Sequence, residues 1–87
     1  MQNIVIKKLK EMFDDEIRYL ERAYKNDYEW VREPKIHIDC CRSRCLGAMF
    51  LAESFDNVDT HEIELLYNDY TNKMYKMYKE YKKKERK

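Results

Sequence analysis

Four residues of this chain carry side chains that bind metals or attack electrophiles, and they cluster at helical spacing: His37, Cys40, Cys41 and Cys45. His37, Cys41 and Cys45 stand at i, i+4 and i+8, which stacks them on one face of a helix. A tetrahedral zinc site needs a fourth ligand and usually draws its ligands from separated pairs. The remaining histidine, His61, lies beyond a loop. Small cysteines on a helix-packing seam explain the same pattern without an ion, so no metal ligand and no cofactor is assigned. A reactive thiol is the second chemistry. Arg44 follows Cys40 by one turn, and a neighbouring cation favours a thiolate. No base completes a nucleophile pair with it. A thiol or metal sensor built on Cys40, Cys41 and Cys45 stays as an alternative function. The 17 acids single out no catalytic pair. There is no glycine-rich phosphate loop, no Ser-His-Asp ordering and no HExxH run. Small helical bundles also offer little concave volume. The expectation is a non-enzyme with no catalytic residue.

The element that must position these residues is the stretch from Ile36 to Phe55, which reads as a helix. Ile38, Cys41, Cys45, Ala48, Ala52 and Phe55 recur at steps of three and four and share one face. Ile36, Cys40, Ser43, Gly47, Phe50 and Ser54 share the opposite face, with no charge among them. A helix uncharged on both faces is expected to be covered on both.

The chain has 87 residues, 44% of them apolar and 40% charged, with one glycine and one proline. That length suits a single domain, 1–87. So little turn chemistry argues against strands, and long straight-chain residues favour helix. No apolar run is long enough to span a membrane. The opening MQNIVIKKLKEMF lacks the pattern of a signal peptide. Three cysteines, two of them adjacent, form no disulfide framework and suit a reducing, cytoplasmic location.

Helix 1 is expected over about residues 3–32. Ile6, Leu9, Phe13, Ile17, Leu20, Tyr24, Tyr28 and Val31 make its core stripe. Val5, Met12, Tyr19, Ala23 and Trp30 flank it. Glu16 and Asp27 project into that apolar arc. Either they sit at its edge and reach water, or they are buried in pairs with Arg42, Arg44 or Lys73. Pro34 ends helix 1 and suits the first position of helix 2. Helix 2 is expected over 35–54 and the second loop over 55–58.

Helix 3 is expected over 60–81. Asp59-Thr60-His61-Glu62 fits a capping box, with Asp59 accepting backbone N–H groups and Glu62 reaching back. Val58 and Ile63 fit a hydrophobic staple. Ile63, Leu66, Tyr70, Met74, Met77 and Tyr81 form the core stripe, flanked by Tyr67 and Tyr78. Residues 82–87 are expected to fray as a basic tail. The fold predicted is an all-α, three-helix antiparallel bundle with short loops. The uncharged face of helix 2 is covered either by helix 1 bent around it or by a second copy. Two-fold dimers are the commonest assembly, so a homodimer with Ile36, Cys40, Ser43, Gly47 and Phe50 at its interface is favoured.

A net charge of +1 conceals a strong asymmetry. Between Cys45 and Asn72 stand Glu53, Asp56, Asp59, Glu62, Glu64 and Asp69, with no lysine or arginine. From Lys73 to Lys87 eight bases face only Glu80 and Glu85. The lysines of KMYKMYKEYKKKERK sweep around the outer surface, with Tyr75 among them. Lysines interleaved with aromatics suit phosphates and stacked bases. A solvated helix end, favoured by the helix dipole, accounts for part of the enrichment without a ligand. The partner-binding set read from the sequence is Lys73, Lys76, Lys79, Lys82, Lys83, Lys84, Tyr75, Glu53, Asp56 and Asp69.

RCLGAMFLAESF followed by EIELLYNDYTNKMYKM resembles, in style, the small helical accessory proteins of phages and mobile elements in Gram-positive bacteria. The resemblance covers roughly Asp39 to Met77. It implies a regulator or inhibitor that binds one host protein, including inhibitors of bacterial defence systems. The function expected is therefore non-enzymatic binding and occlusion of another protein. The alternative is a nucleic-acid-binding regulator using the Tyr/Lys-rich C-terminal helix.

Overall fold

A computed structural model describes residues 2–26 and 34–85 and arranges them as three helices: α1, Gln2–Asn26; α2, Pro34–Glu53; and α3, Thr60–Glu85. No strand occurs among the described residues, so the chain is all-α, as its composition predicts. The expected continuation of helix 1 to residue 32, with Asp27, Tyr28, Trp30 and Val31, lies outside the described residues.

The stripe on α1 packs inward as its periodicity dictates. Val5, Leu9, Phe13, Ile17, Leu20 and Ala23 are buried, and Ile6, Tyr19 and Tyr24 are half-buried against them. Met12, expected in the flanking stripe, lies at its edge and is exposed. On α2 the inner face holds Ile38, Cys41, Cys45 and Ala52, all buried, with Ala48 partly so. Met49 joins them and was not expected there. It follows Ile38 by eleven residues, about three full turns, and so returns to the same direction. Phe55 leaves the seam and is 48% exposed. The physical reason is local. The helix ends at Glu53, Ser54 and Phe55 close turns onto the Leu51 and Ala52 carbonyls, and Asn57 takes φ 64°. Asparagine tolerates this left-handed conformation better than most residues.

On α3, Ile63, Met74 and Tyr81 are buried, with Leu66, Tyr67, Tyr70, Met77 and Tyr78 packed at their margins. Thr71 is buried as well, its hydroxyl satisfied by the Asn68 carbonyl at 3.1 Å. The helix does not fray after Tyr81 but continues to Glu85. Tyr81 packs on Ala23 and stacks on Tyr24, with ring centroids 4.7 Å apart, which anchors the last turns. Lysine is a good helix former, so the like charges do not outweigh that anchor.

The α3 cap is half as expected. Asp59 Oδ1 accepts the amides of His61 and Glu62 at 3.0 and 3.4 Å. Glu62 does not reach back. Gln2 of α1 takes its place: its Oε1 accepts the Asp59 amide at 2.7 Å, while its Nε2 donates to Glu62 Oε2 at 3.0 Å. The starts of α1 and α3 are thus tied together. Val58 is half-buried against the core that Ile63 enters, as a staple requires.

Other contacts fix the remaining neighbours. Tyr19 and Glu16 of α1 meet His37 and Arg44 of α2, and Arg42 of α2 meets Tyr75 of α3. The result is a rod of 49 × 18 × 16 Å. Phe13, Leu20, Ile38, Cys41, Cys45, Ile63 and Met74 lie fully buried along its axis. Each large apolar side chain so placed contributes about 1.5–3 kcal/mol of burial. Ala23 and Tyr81 form a smaller separate cluster, with Tyr24 alongside.

Candidate interaction surface

The cysteine cluster is split by the geometry of α2. Cys41 and Cys45 face the core and Cys40 faces outward. Burial pushes the Cys41 thiol up to about 12, and its hydrogen bond and charge coupling to Glu16 add to the effect. Burial likewise pushes Cys45 up to about 12, with Glu16 adding and Arg44 opposing. Both thiols therefore stay protonated and poorly nucleophilic near neutral pH. His37 is engaged elsewhere, its Nδ1 3.1 Å from the Tyr19 hydroxyl. The i, i+4, i+8 set does not converge on one point, and no metal-binding group of three is found among the described residues.

Arg44 is oriented towards α1. Its Nε and Nη2 each lie 2.7 Å from one Glu16 carboxylate oxygen, and Nη2 also lies 3.4 Å from Cys41 Sγ. Of the two readings of Glu16, pairing with Arg44 is the one realised, at a half-buried position. Asp27 lies outside the described residues. A second acid, Asp14, accepts the Tyr70 hydroxyl across α1 and α3. Burial, then that bond, pushes the Tyr70 phenol up to about 12.

The outer face of α2 is open among the described residues. Ile36 is 55% and Phe50 58% exposed, and Cys40, Ser43, Gly47 and Ser54 are open as well. The described part of α1 does not wrap around it, so of the two coverings expected from sequence that one does not occur among the described residues. A shallow depression on this face is lined by Ile36, Asp39, Cys40, Ser43 and Arg44.

The partner-binding residues read from sequence fall at two places. Lys73, Lys76, Lys79, Lys82 and Lys83 are exposed along the second half of α3, while the side chain of Lys84 lies outside what the structure describes. Tyr75 is exposed, but its hydroxyl accepts from Arg42, whose guanidinium sits 4.7 Å over the ring centroid. One face of the ring is therefore occupied by a cation of the same chain. Asp56 and Asp69 are exposed. Glu53 is half-buried, and its Oε1 is enclosed without a hydrogen-bond partner.

Sequence reading missed an apolar feature at the acidic end. The end of α2 and the starts of α1 and α3 come together there through Gln2 and the second loop. Phe50, Leu51, Phe55, Ile4 and Leu65 all belong to that end, and all are exposed. Ile4 and Leu65 each sit one residue before an inward-facing apolar residue, Val5 and Leu66. Their offset of about 100° from the core stripe is the signal that could have found them. Around them stand Asp56, Asp59, Glu62 and Glu64, with Lys7 and Lys8 nearby on α1 as a partial offset. Large apolar side chains exposed together mark binding surfaces more often than scattered ones do. No helix among the described residues is long and apolar enough to cross a membrane. Compared with protein families, characterised proteins and solved structures, the chain matches none.

Proposed function

We propose that this chain is a non-enzymatic interaction protein of the cytoplasm that binds another protein and occludes a functional site on it, as a phage-encoded inhibitor of a bacterial defence system would. Its helices form an antiparallel bundle, and two copies pair through the outer face of α2. The observation that carries the reading is the acidic end of the rod, where Ile4, Phe55 and Leu65 lie outside the paired α2 face and stay open among carboxylates. Apolar anchors inside a charged rim are the anatomy of a protein–protein interface. The lysines of α3 stand far along the rod, since 26 helical residues span about 39 Å. Opposite charge at the two ends orients a partner before contact.

The test is capture from a Gram-positive bacterial lysate, followed by binding to the recovered partner. One stoichiometric protein should be retained, and the Phe55→Asp, Leu65→Asp double variant should lose it while keeping its helicity. Retention by that variant at full strength would overturn the reading. A second reading, nucleic-acid binding through Lys73, Lys76, Lys79, Lys82 and Lys83, is favoured by their common exposure. It predicts affinity that falls steeply with salt and disappears when residues 82–87 are removed. The carboxylates of the other end oppose it, since they repel a phosphate backbone.

A further inference from the structure

The outer face of α2 has a property beyond being uncharged. Ile36, Cys40, Ser43, Gly47, Phe50 and Ser54 follow one another at steps of four, three, four, three and four. This is the heptad spacing of a two-stranded seam. Its centre is small. A Cβ built on Gly47 would meet nothing within 4 Å, and Gly47 does not adopt a positive φ. Nothing among the described residues therefore asks for glycine here, and glycine is a poorer helix former than alanine. Ser43 and Gly47, one turn apart, let a second backbone approach closely.

The residues flanking this seam specify how a second helix would lie. Asp39 and Leu46 border one side, Arg44 and Leu51 the other. In a parallel, in-register pair each side meets the opposite side of its partner, offset by five residues. Asp39 then faces Arg44 of the second copy, and Leu46 faces Leu51 of the second copy. In the reversed pair Arg44 would face Arg44 and Asp39 would face Glu53 of the second copy, so like charges would oppose. Asp39 is exposed, and the Arg44 side chain remains 53% exposed while it holds Glu16. A guanidinium has five N–H donors and can serve both carboxylates. The depression lined by Ile36, Asp39, Cys40, Ser43 and Arg44 places this acid and this base on opposite rims of the seam.

We propose that the occupant of this face is a second copy of the chain, packed parallel and in register along α2, with Cys40 beside its own counterpart. The proposal rests on the homodimer reading and adds its polarity and register.

The experiment combines sedimentation equilibrium of the intact chain with a short bis-maleimide, which joins two thiols by adding each S–H across a C=C bond. Cys40 is the exposed thiol, Cys41 and Cys45 being buried. A parallel pair holds the two Cys40 residues in contact. A reversed pair centred near Cys45 sets them about 15 Å apart along the axis, at 1.5 Å per residue. The expected result is a dimer that cross-links in high yield, with cross-linking abolished in Cys40→Ser although that variant still dimerises. Gly47→Glu should weaken pairing by about tenfold or more, because it places carboxylates face to face. Its helicity by circular dichroism should not change, given the open space at that position. A dimer that fails to cross-link overturns the parallel register and leaves the homodimer reading standing. A dimer indifferent to Gly47→Glu overturns the choice of face. A monomer at all concentrations overturns both.

Discussion

Arg44 of α2 grips Glu16 of α1 side-on, two nitrogens to two oxygens at 2.7 Å each. The fork geometry matches a carboxylate in a way lysine does not. The Glu16 side chain is 19% exposed and the Arg44 side chain 53%, so water screens one partner more than the other. The pair should therefore stabilise more than an open surface bridge and less than an enclosed one. Arg44→Met is expected to cost about 1–2 kcal/mol, chiefly from a half-buried carboxylate left unpaired. Adding Glu16→Gln should recover most of it. Urea unfolding of both single variants and the double variant measures the coupling.

The three thiols should differ sharply in rate. In the folded chain, diluted until it is monomeric, a maleimide should modify Cys40 within the time that leaves Cys41 and Cys45 untouched. All three should react at similar rates in denaturant. Mass spectrometry after a short pulse reads one adduct in the first case and three in the second. Burial with a raised pKa is the cause, since both inner thiols titrate only near 12.

Alkaline pH should unfold the chain by a definite mechanism. Cys41 and Cys45 move from an ordinary value of 9.0 to about 12, and Tyr70 from 10.0 to about 12. Burial also raises Tyr24. These groups keep their protons longer in the folded chain than in the unfolded one. Above pH 9 the unfolded state thus binds fewer protons, and stability falls as pH rises. Below 9 these groups contribute no slope. Thermal melts from pH 7 to 11 should show a flat region followed by a decline, and Tyr70→Phe should make the decline shallower.

The start of α3 depends on a side chain from the start of α1. Asp59→Ala should cost about 1 kcal/mol through loss of the cap on His61 and Glu62. Gln2→Ala should cost less, because the freed Asp59 amide is exposed and can turn to water. Replacing both should cost about the sum if the two act separately. Chemical denaturation of the set decides it, and a double variant no worse than Asp59→Ala would show one shared cap.

The three helices were legible because their signals are local. Pro34 marks a start, Asp59 marks another, and the apolar stripes repeat at helical period. The identity of Glu16's partner was legible only as a choice among three bases, since sequence spacing does not say which bases an adjoining helix brings within reach. Phe55 was misplaced because a periodic pattern continues on paper after the chain has turned. Met49 was missed because the step after Cys45 was taken as three, to Ala48, although a step of four also stays on the inner face. The offset of Ile4 and Leu65 from the core stripe was readable, but their gathering with Leu51 at one end depends on which way neighbouring helices lie, and periodicity alone does not encode that. The chemistry of the cysteines was ambiguous for a related reason. Adjacent residues on a helix differ by about 100° in direction, enough to send Cys40 to water and Cys41 to the core.

The rod's slenderness bears on how it holds together. Among the described residues the interior is one apolar column drawn from all three helices, from Val5 and Ile63 at one end to Ala23 and Tyr81 at the other. Cohesion therefore runs lengthwise, as in a zip, and the packing of Tyr81 on Ala23 and Tyr24 is the link that fastens the last turns of α3 to α1.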